Sequence, residues 1–191
     1  MHSLRVAKCS AGASVAIVTG LAALLCGCGG GGGGTSKPVP SAPATLRLSS
    51  AFVAGATIPN RFTCDGQDQS PPLAWSGVPS TARELALSFD DPGAPGGDFT
   101  HWLLYRIGLR PATIAAGGVP AGAALGRNSF GHNGYNGPCP PKGDKPHRYR
   151  FVLYALSRPL GLEAGASPDE FRAAVAPAAI AEGTLTGTYS R

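Results

Sequence analysis

Four polar clusters carry the groups able to do chemistry in this chain. They are Asp90-Asp91 ahead of Pro92, His101-Trp102, the loop Gly134-Tyr135-Asn136-Gly137-Pro138-Cys139-Pro140-Pro141, and His147-Arg148-Tyr149. Aspartates that end an extended run either cap the following turn by accepting backbone N–H bonds or point into a pocket as acceptors for a cationic or hydroxylated group. A histidine at a strand mouth can bind phosphate as imidazolium or as a neutral donor, or sit on the surface without a ligand. The glycine–proline loop has restricted φ at its three prolines and free φ at Gly134 and Gly137. Its few N–H donors are therefore fixed in position. Such a loop suits the wall of a small anion pocket, or a stiff connection with no ligand.

Other chemistries find no support. No C-x-x-C or H-x-x-x-H pair offers a zinc site. Gly-x-Ser-x-Gly is missing, and Ser129 in Asn128-Ser129-Phe130-Gly131 has no elbow context. No Walker or Rossmann glycine pattern precedes a helix, so no cofactor is implied. Asp91 with His101 could do general acid–base work, but no nucleophile is marked.

These clusters need a β framework to hold them. Leu46-Arg47-Leu48, Ala51-Phe52 and Glu84 to Asp90 alternate apolar and polar residues, which predicts strands. Ile58 to Cys64 reads as an extended stretch ending in the turn Asp65-Gly66, and Ser70 to Trp75 is extended by its prolines. Trp102–Ile107 and Tyr149–Leu156 are apolar runs of the buried-strand kind. Ser167-Pro168-Asp169-Glu170 is a capping box with proline at the first helical position. It predicts a helix through Val175, broken at Pro177 and resumed over Ala178 to Glu182, before a closing strand from Thr184 to Tyr189. Asp91, His101 and His147 all fall at strand ends, where a sandwich gathers its loops. The fold expected is mainly β, a β-sandwich with Greek-key-type connections and a short C-terminal helical segment.

Residues 1–27 read as an export signal: Arg5 and Lys8 precede an uncharged run rich in Ala, Val and Leu, and Leu25-Cys26-Gly27-Cys28 resembles a lipoprotein box. That reading makes Cys28 the acylated first residue of the mature protein. Residues 28–44, glycine-rich and then proline-rich, form a tether, and residues 45–191 the domain. The implied location is the bacterial envelope, lipid-anchored and facing the periplasm with a lean to the outer membrane, or secretion. Removing Arg5 and Lys8 from the 16 basic residues leaves 14 against 11 acidic ones, a balance of +3. That is too weak and too scattered for nucleic acid. Two cysteines remain in the domain, Cys64 and Cys139. An oxidising compartment favours a bridge worth roughly 4 kcal/mol in the chain-entropy model; each could instead be a small buried apolar residue.

Taken together, Ser-Pro-Pro-Leu-x-Trp (70–75), Asp-Pro-x-Ala-Pro (91–95), His-Trp (101–102), Gly-Tyr-x-Gly-Pro-Cys-Pro-Pro (134–141) and His-Arg-Tyr (147–149) resemble the phosphatidylethanolamine-binding protein family, and within it the bacterial Raf-kinase-inhibitor-like branch. The resemblance implies a β-sandwich with a small pocket for anions and phosphorylated head groups. By position it implies that Asp91, His101, Gly137, Cys139, Pro140 and His147 line that pocket, with Tyr149 beside it. Gly93 stands where the family pattern has a second aspartate, and Ala178 or Ala179 where the branch often has a histidine. The implied function is non-enzymatic binding of a phosphate-bearing or anionic ligand, with the membrane engaged through the lipidated N-terminus. Inhibition of a protease or kinase through the outer surface is the alternative, with a protein target as partner.

Overall fold

A computed structural model describes residues 45–191; the expected signal segment, Cys28 and the 28–44 tether lie outside the described residues. At the centre of the fold runs the strand Glu84–Asp91, all eight residues of which are buried. It can be buried on both sides because its two faces meet different layers. Leu85, Leu87 and Phe89 join the main core, whereas Ala86 belongs to a second cluster.

In chain order the elements are β1 (Arg47–Ser50), a 3₁₀ turn (Asn60–Phe62), β2 (Leu73–Ser76), β3 (Glu84–Asp91), β4 (Phe99–Ile107), β5 (Thr113–Ile114), β6 (Ala124–Leu125), β7 (His147–Leu156), α1 (Pro168–Val175) and β8 (Ala179–Tyr189). Two sheets form, β1-β2-β5 and β6-β4-β3-β7-β8. The strand pairs within both are antiparallel. Between the sheets lies an apolar layer drawn from both: Leu48 and Trp75 from the small one, and Leu87, Trp102, Phe151 and Leu185 from the large one. On the outer face of the large sheet, Leu103 and Tyr105 pack with Phe171 and Val175 of α1. The helix begins as its sequence dictates, with the Ser167 hydroxyl accepting from the Glu170 N–H and the Glu170 carboxylate accepting from the Ser167 N–H at 2.8 Å.

Two expectations are corrected. Ala178 to Glu182 is not a resumed helix: from Ala179 the chain is strand β8, paired with β7 from Leu156↔Ala179 to His147↔Tyr189. Pro177 has no N–H to continue a helix. Beyond it a full ladder of sheet hydrogen bonds outweighs the helix preference of alanine, which is worth only tenths of a kcal/mol per residue. Likewise, Ile58 to Cys64 is not extended throughout. Asn60–Phe62 forms the 3₁₀ turn, closed by the Thr63 N–H and hydroxyl donating to the Asn60 carbonyl at 2.9 and 2.8 Å.

Leu87 is fully buried between the sheets. Leu87→Ala is expected to lower the unfolding free energy by about 2–5 kcal/mol. Ile180→Ala, at an exposed position of β8, should change it by no more than about 0.5 kcal/mol. Urea titration of the two variants checks both.

Candidate functional site

Antiparallel pairing brings the end of β3 and the starts of β4 and β7 to one end of the large sheet. Asp91 pairs with Phe99, Asp90 with Arg150, and His147 opens β7. Phe89 pairs with Trp102 but Asp90 pairs with Thr100, so β4 carries one extra residue, His101. This is a β-bulge, a device that re-aims side chains beside functional sites. Regular alternation would turn His101 to the side of Leu103 and Tyr105, toward α1. The bulge instead brings it against Phe89, with ring centroids 5.2 Å apart, and sends the Thr100 hydroxyl to Asp90 Oδ1 at 2.8 Å.

The adjacent aspartates consequently do different work. Asp90 is 7% exposed on the outer face and accepts from the hydroxyls of Ser88 and Thr100. Asp91 turns the other way. Its Oδ1 accepts from the Gly93 N–H at 3.0 Å, and its Oδ2 lies 2.6 Å from His147 Nδ1. That distance places the shared proton on Nδ1 as donor. His147 Nε2 is 3.6 Å from Asp144 Oδ2, too far for a hydrogen bond.

His101 Nδ1 donates to the Asn136 carbonyl at 2.8 Å, which fixes ring and tautomer alike. Around the imidazole stand Phe99, Phe130 and Tyr149 at centroid distances of 5.3–5.4 Å. Burial, above all, holds its pKa below the ordinary histidine value; the Asn136 carbonyl, the Asp91 charge and the Gly137 backbone pull the other way. Tyr149 is shifted far above the usual tyrosine range, first by burial and then by the Asp91 charge, so it remains a neutral phenol.

These groups enclose a cavity of about 240 Å³. Asp91, His101, Cys139, Pro140, His147 and Tyr149 all line it. Pro95, Phe99, Phe130 and Pro141 add apolar walls. Gly137 is not among these lining residues. Its N–H donates to Asp68 Oδ1 at 2.6 Å, and a Cβ there would fall 2.3 Å from the Phe62 carbonyl oxygen. Gly137 is a glycine so that the loop can press against residues 62–68. The Asn136 N–H is also spent within the protein, on the His101 carbonyl. Neither amide is free to hold an anion.

Cys64 and Cys139 form a disulfide across 75 residues, tying the same wall to the 3₁₀ turn from behind. Sequence reasoning missed Asp68 and Asn128, which set the loop's position. Asn128 Nδ2 donates to the Gly134 carbonyl and to Asn136 Oδ1, while its Oδ1 accepts from the N–H groups of Phe130 and His132. Asn followed by Ser and a glycine is a turn signature and could have marked Asn128. Asp68 carries no such signal.

The sequence profile of the family described as phosphatidylethanolamine-binding protein matches residues 48–190. The chain belongs to that family. Among relatives, a UPF0098 protein of Methanothermobacter thermautotrophicus is 46% identical over 146 residues, covering 74% of this chain and 95% of that one. A Mycobacterium tuberculosis protein named as a candidate lipoprotein, LppC, is 43% identical over 152 residues, covering 80% and 75%. The crystal structure of Escherichia coli YbcL, described as a member of the mammalian PEBP family, superposes with a TM-score of 0.73. That match is 31% identical and covers 78% of this chain and 99% of the other. Membership identifies a binding-type protein with the β-rich family fold. It also accounts for the five motifs, four of which meet around the cavity while Ser70–Trp75 leads into β2 of the small sheet. Gly93 departs from the family pattern, yet packing does not demand glycine there: the nearest atom to a Cβ would be Asp91 Oδ1 at 3.5 Å.

Replacing Cys64 and Cys139 together by serine is expected to cost about 2–4 kcal/mol of stability. Denaturant unfolding of the double variant tests this, and an unchanged midpoint would show that hydrogen bonds alone fix the wall.

Proposed function

We propose that the domain is a non-enzymatic binding module whose cavity takes a phosphate or a similar small anion, such as a phospholipid head group. One observation carries this reading: His101 and His147 converge on a single cavity whose only carboxylate, Asp91, is already engaged by His147 and the Gly93 amide. A volume of about 240 Å³ falls short of the roughly 300–1,000 Å³ of pockets that take drug-sized ligands. It suits a head group, with the apolar walls bordering whatever the anion is attached to. A catalytic reading finds little to work with. The lining holds no serine, threonine or lysine, Cys139 is oxidised, and the Tyr149 phenol is held neutral.

The pH dependence follows from His101. In the free domain its pKa lies below 6.5, so the unfolded chain takes up more protons and the free protein loses stability as pH falls from about 6.5. A bound anion favours the imidazolium and raises that pKa. Affinity should therefore climb as pH falls through the interval between the bound and free values. Calorimetric titration with inorganic phosphate and with glycerophosphoethanolamine between pH 8 and 5 is expected to show this rise, and His101→Ala should weaken binding about tenfold or more. Affinity independent of both pH and His101 would overturn the assignment.

The same reading tethers the domain to the bacterial envelope through acylated Cys28. It is supported by the likeness to a protein named as a lipoprotein. Among the described residues no helix is long and apolar enough to cross a membrane. Mass spectrometry of protein recovered from bacterial membranes should find an acylated Cys28 as the first residue, and Cys28→Ser should release the protein. An unmodified N-terminus at another position would refute the tether.

A further inference from the structure

One wall of the cavity carries a disulfide whose two halves sit in unequal surroundings. Cys139 is exposed and lines the cavity, whereas Cys64 is half-buried and is not among the lining residues. Against the Cys139 Sγ lies the Arg191 guanidinium, its Nη1 donating at 3.2 Å. Arg191 is held there from its other side. Its Nε donates to both carboxylate oxygens of Asp65 at 3.0 and 3.1 Å, and its Nη2 lies 3.0 Å from Oδ1. Asp65 also accepts from the Tyr189 hydroxyl at 2.7 Å. A cation is thus fixed beside the more exposed half of the bridge.

Exposed disulfides belong to the labile class, while sealed ones resist exchange. The attacking species is a thiolate, so a guanidinium at the target sulfur draws it in and then stabilises the thiolate released. Other groups around Cys139 do not supply that charge. Of the cavity's Asp91, His101, His147 and Tyr149, the carboxylate is engaged by His147 and the phenol stays neutral. Lys142 acts on Asp65, behind the guanidinium. Opening the bridge also leaves the wall in place. The Cys64 N–H donates to the Pro138 carbonyl at 3.2 Å, the Tyr135 hydroxyl to the Phe62 carbonyl at 2.6 Å, and the Gly137 N–H to Asp68 Oδ1 at 2.6 Å. These bonds join the same two segments as the disulfide, so an opened Cys139 keeps its position on the cavity.

We infer that Cys139 is a thiol-exchange site, modified by a small thiol and assisted by Arg191. A thiolate attacks the Cys139 Sγ and a new S–S bond forms as the Cys64–Cys139 bond breaks. The electron pair leaves on Cys64, which takes up a proton. A second thiolate attacks the sulfur of the bound thiol, expels Cys139 as a thiolate beside Arg191, and departs as the small disulfide. Two thiols are oxidised and one protein disulfide is reduced. One consequence rests on the anion-binding reading above: an anion seated in the cavity shields Cys139, and a thiol adduct there excludes the anion.

Reduced glutathione is the probe, applied to the folded domain at neutral pH, quenched with N-ethylmaleimide and mapped by peptide mass spectrometry. Early in the reaction glutathione is expected on Cys139 and maleimide on Cys64. Arg191→Leu should slow opening about three- to tenfold, the share of a charge-assisted hydrogen bond that an exchange rate expresses. Arg191→Lys should recover part of that loss. A purely structural Arg191 would move the rate the other way, because a loosened wall exposes the bridge further. Saturating inorganic phosphate, against sodium chloride of matched ionic strength, should also slow opening. If Arg191→Leu slows the reaction and phosphate does not, the exchange site stands and the anion reading falls. The inference is overturned if glutathione is found on Cys64, if the bridge opens only in denaturant, or if Arg191→Leu leaves the rate unchanged or raises it.

Discussion

The site depends on one irregularity in strand pairing. A β-strand presents alternate residues to opposite faces, and β4 obeys this where Trp102 and Leu104 enter the sandwich core and Leu103 and Tyr105 meet α1. A single extra residue between Trp102 and Thr100 resets that alternation. It puts His101 on the same side as Phe89 and Tyr149, and it gives Asp90 the Thr100 hydroxyl as a buried partner. Beside the bulge, a neighbouring loop bonds to the other edge of β4. Thr100 exchanges backbone and side-chain bonds with Ser129, and the His101 carbonyl accepts from the Asn136 amide. A polar site at the end of an apolar sandwich is thus built without burying an unpaired imidazole.

Rigidity of the surrounding wall follows from the same economy of partners. A segment rich in proline has few donors, and here the amides of Asn136 and Gly137 are consumed by His101 and Asp68. The wall therefore contributes shape and an apolar surface, while the polar contacts of the cavity fall to side chains. Those side chains are oriented from behind: His101 by a carbonyl, His147 by Asp91, and Asp91 by the Gly93 amide. Such outer partners hold a constellation to the geometry that recognition requires.

Much of this was legible in the sequence because local pattern and tertiary environment agree. The apolar runs of β3, β4 and β7 are buried strands, and the capping box at Ser167 starts a helix where it should. Prediction failed where the tertiary environment outvoted local preference. The alanines after Pro177 favour a helix in isolation, but β7 offers them a ladder. Strands β5 and β6, of two residues each, are too short to show any period. The direction of the Gly137 amide is not legible in the loop's own residues, since it is set by the distant Asp68. The bulge was invisible for a similar reason, because it exists only relative to the strand beside it.

Viewed as chain topology, the disulfide converts residues 64–139 into a covalent ring. Within the ring lie β2 through β6, with Asp91 and His101; on the tail outside it lie β7 and β8, with His147 and Tyr149. The cavity is therefore a seam between ring and tail. No contact made inside the ring can complete it, and the Asp91–His147 bond is one of the stitches across that seam. Lifting β7 from β3 dismantles the cavity while leaving the ring closed, so the site registers whether the tail is docked.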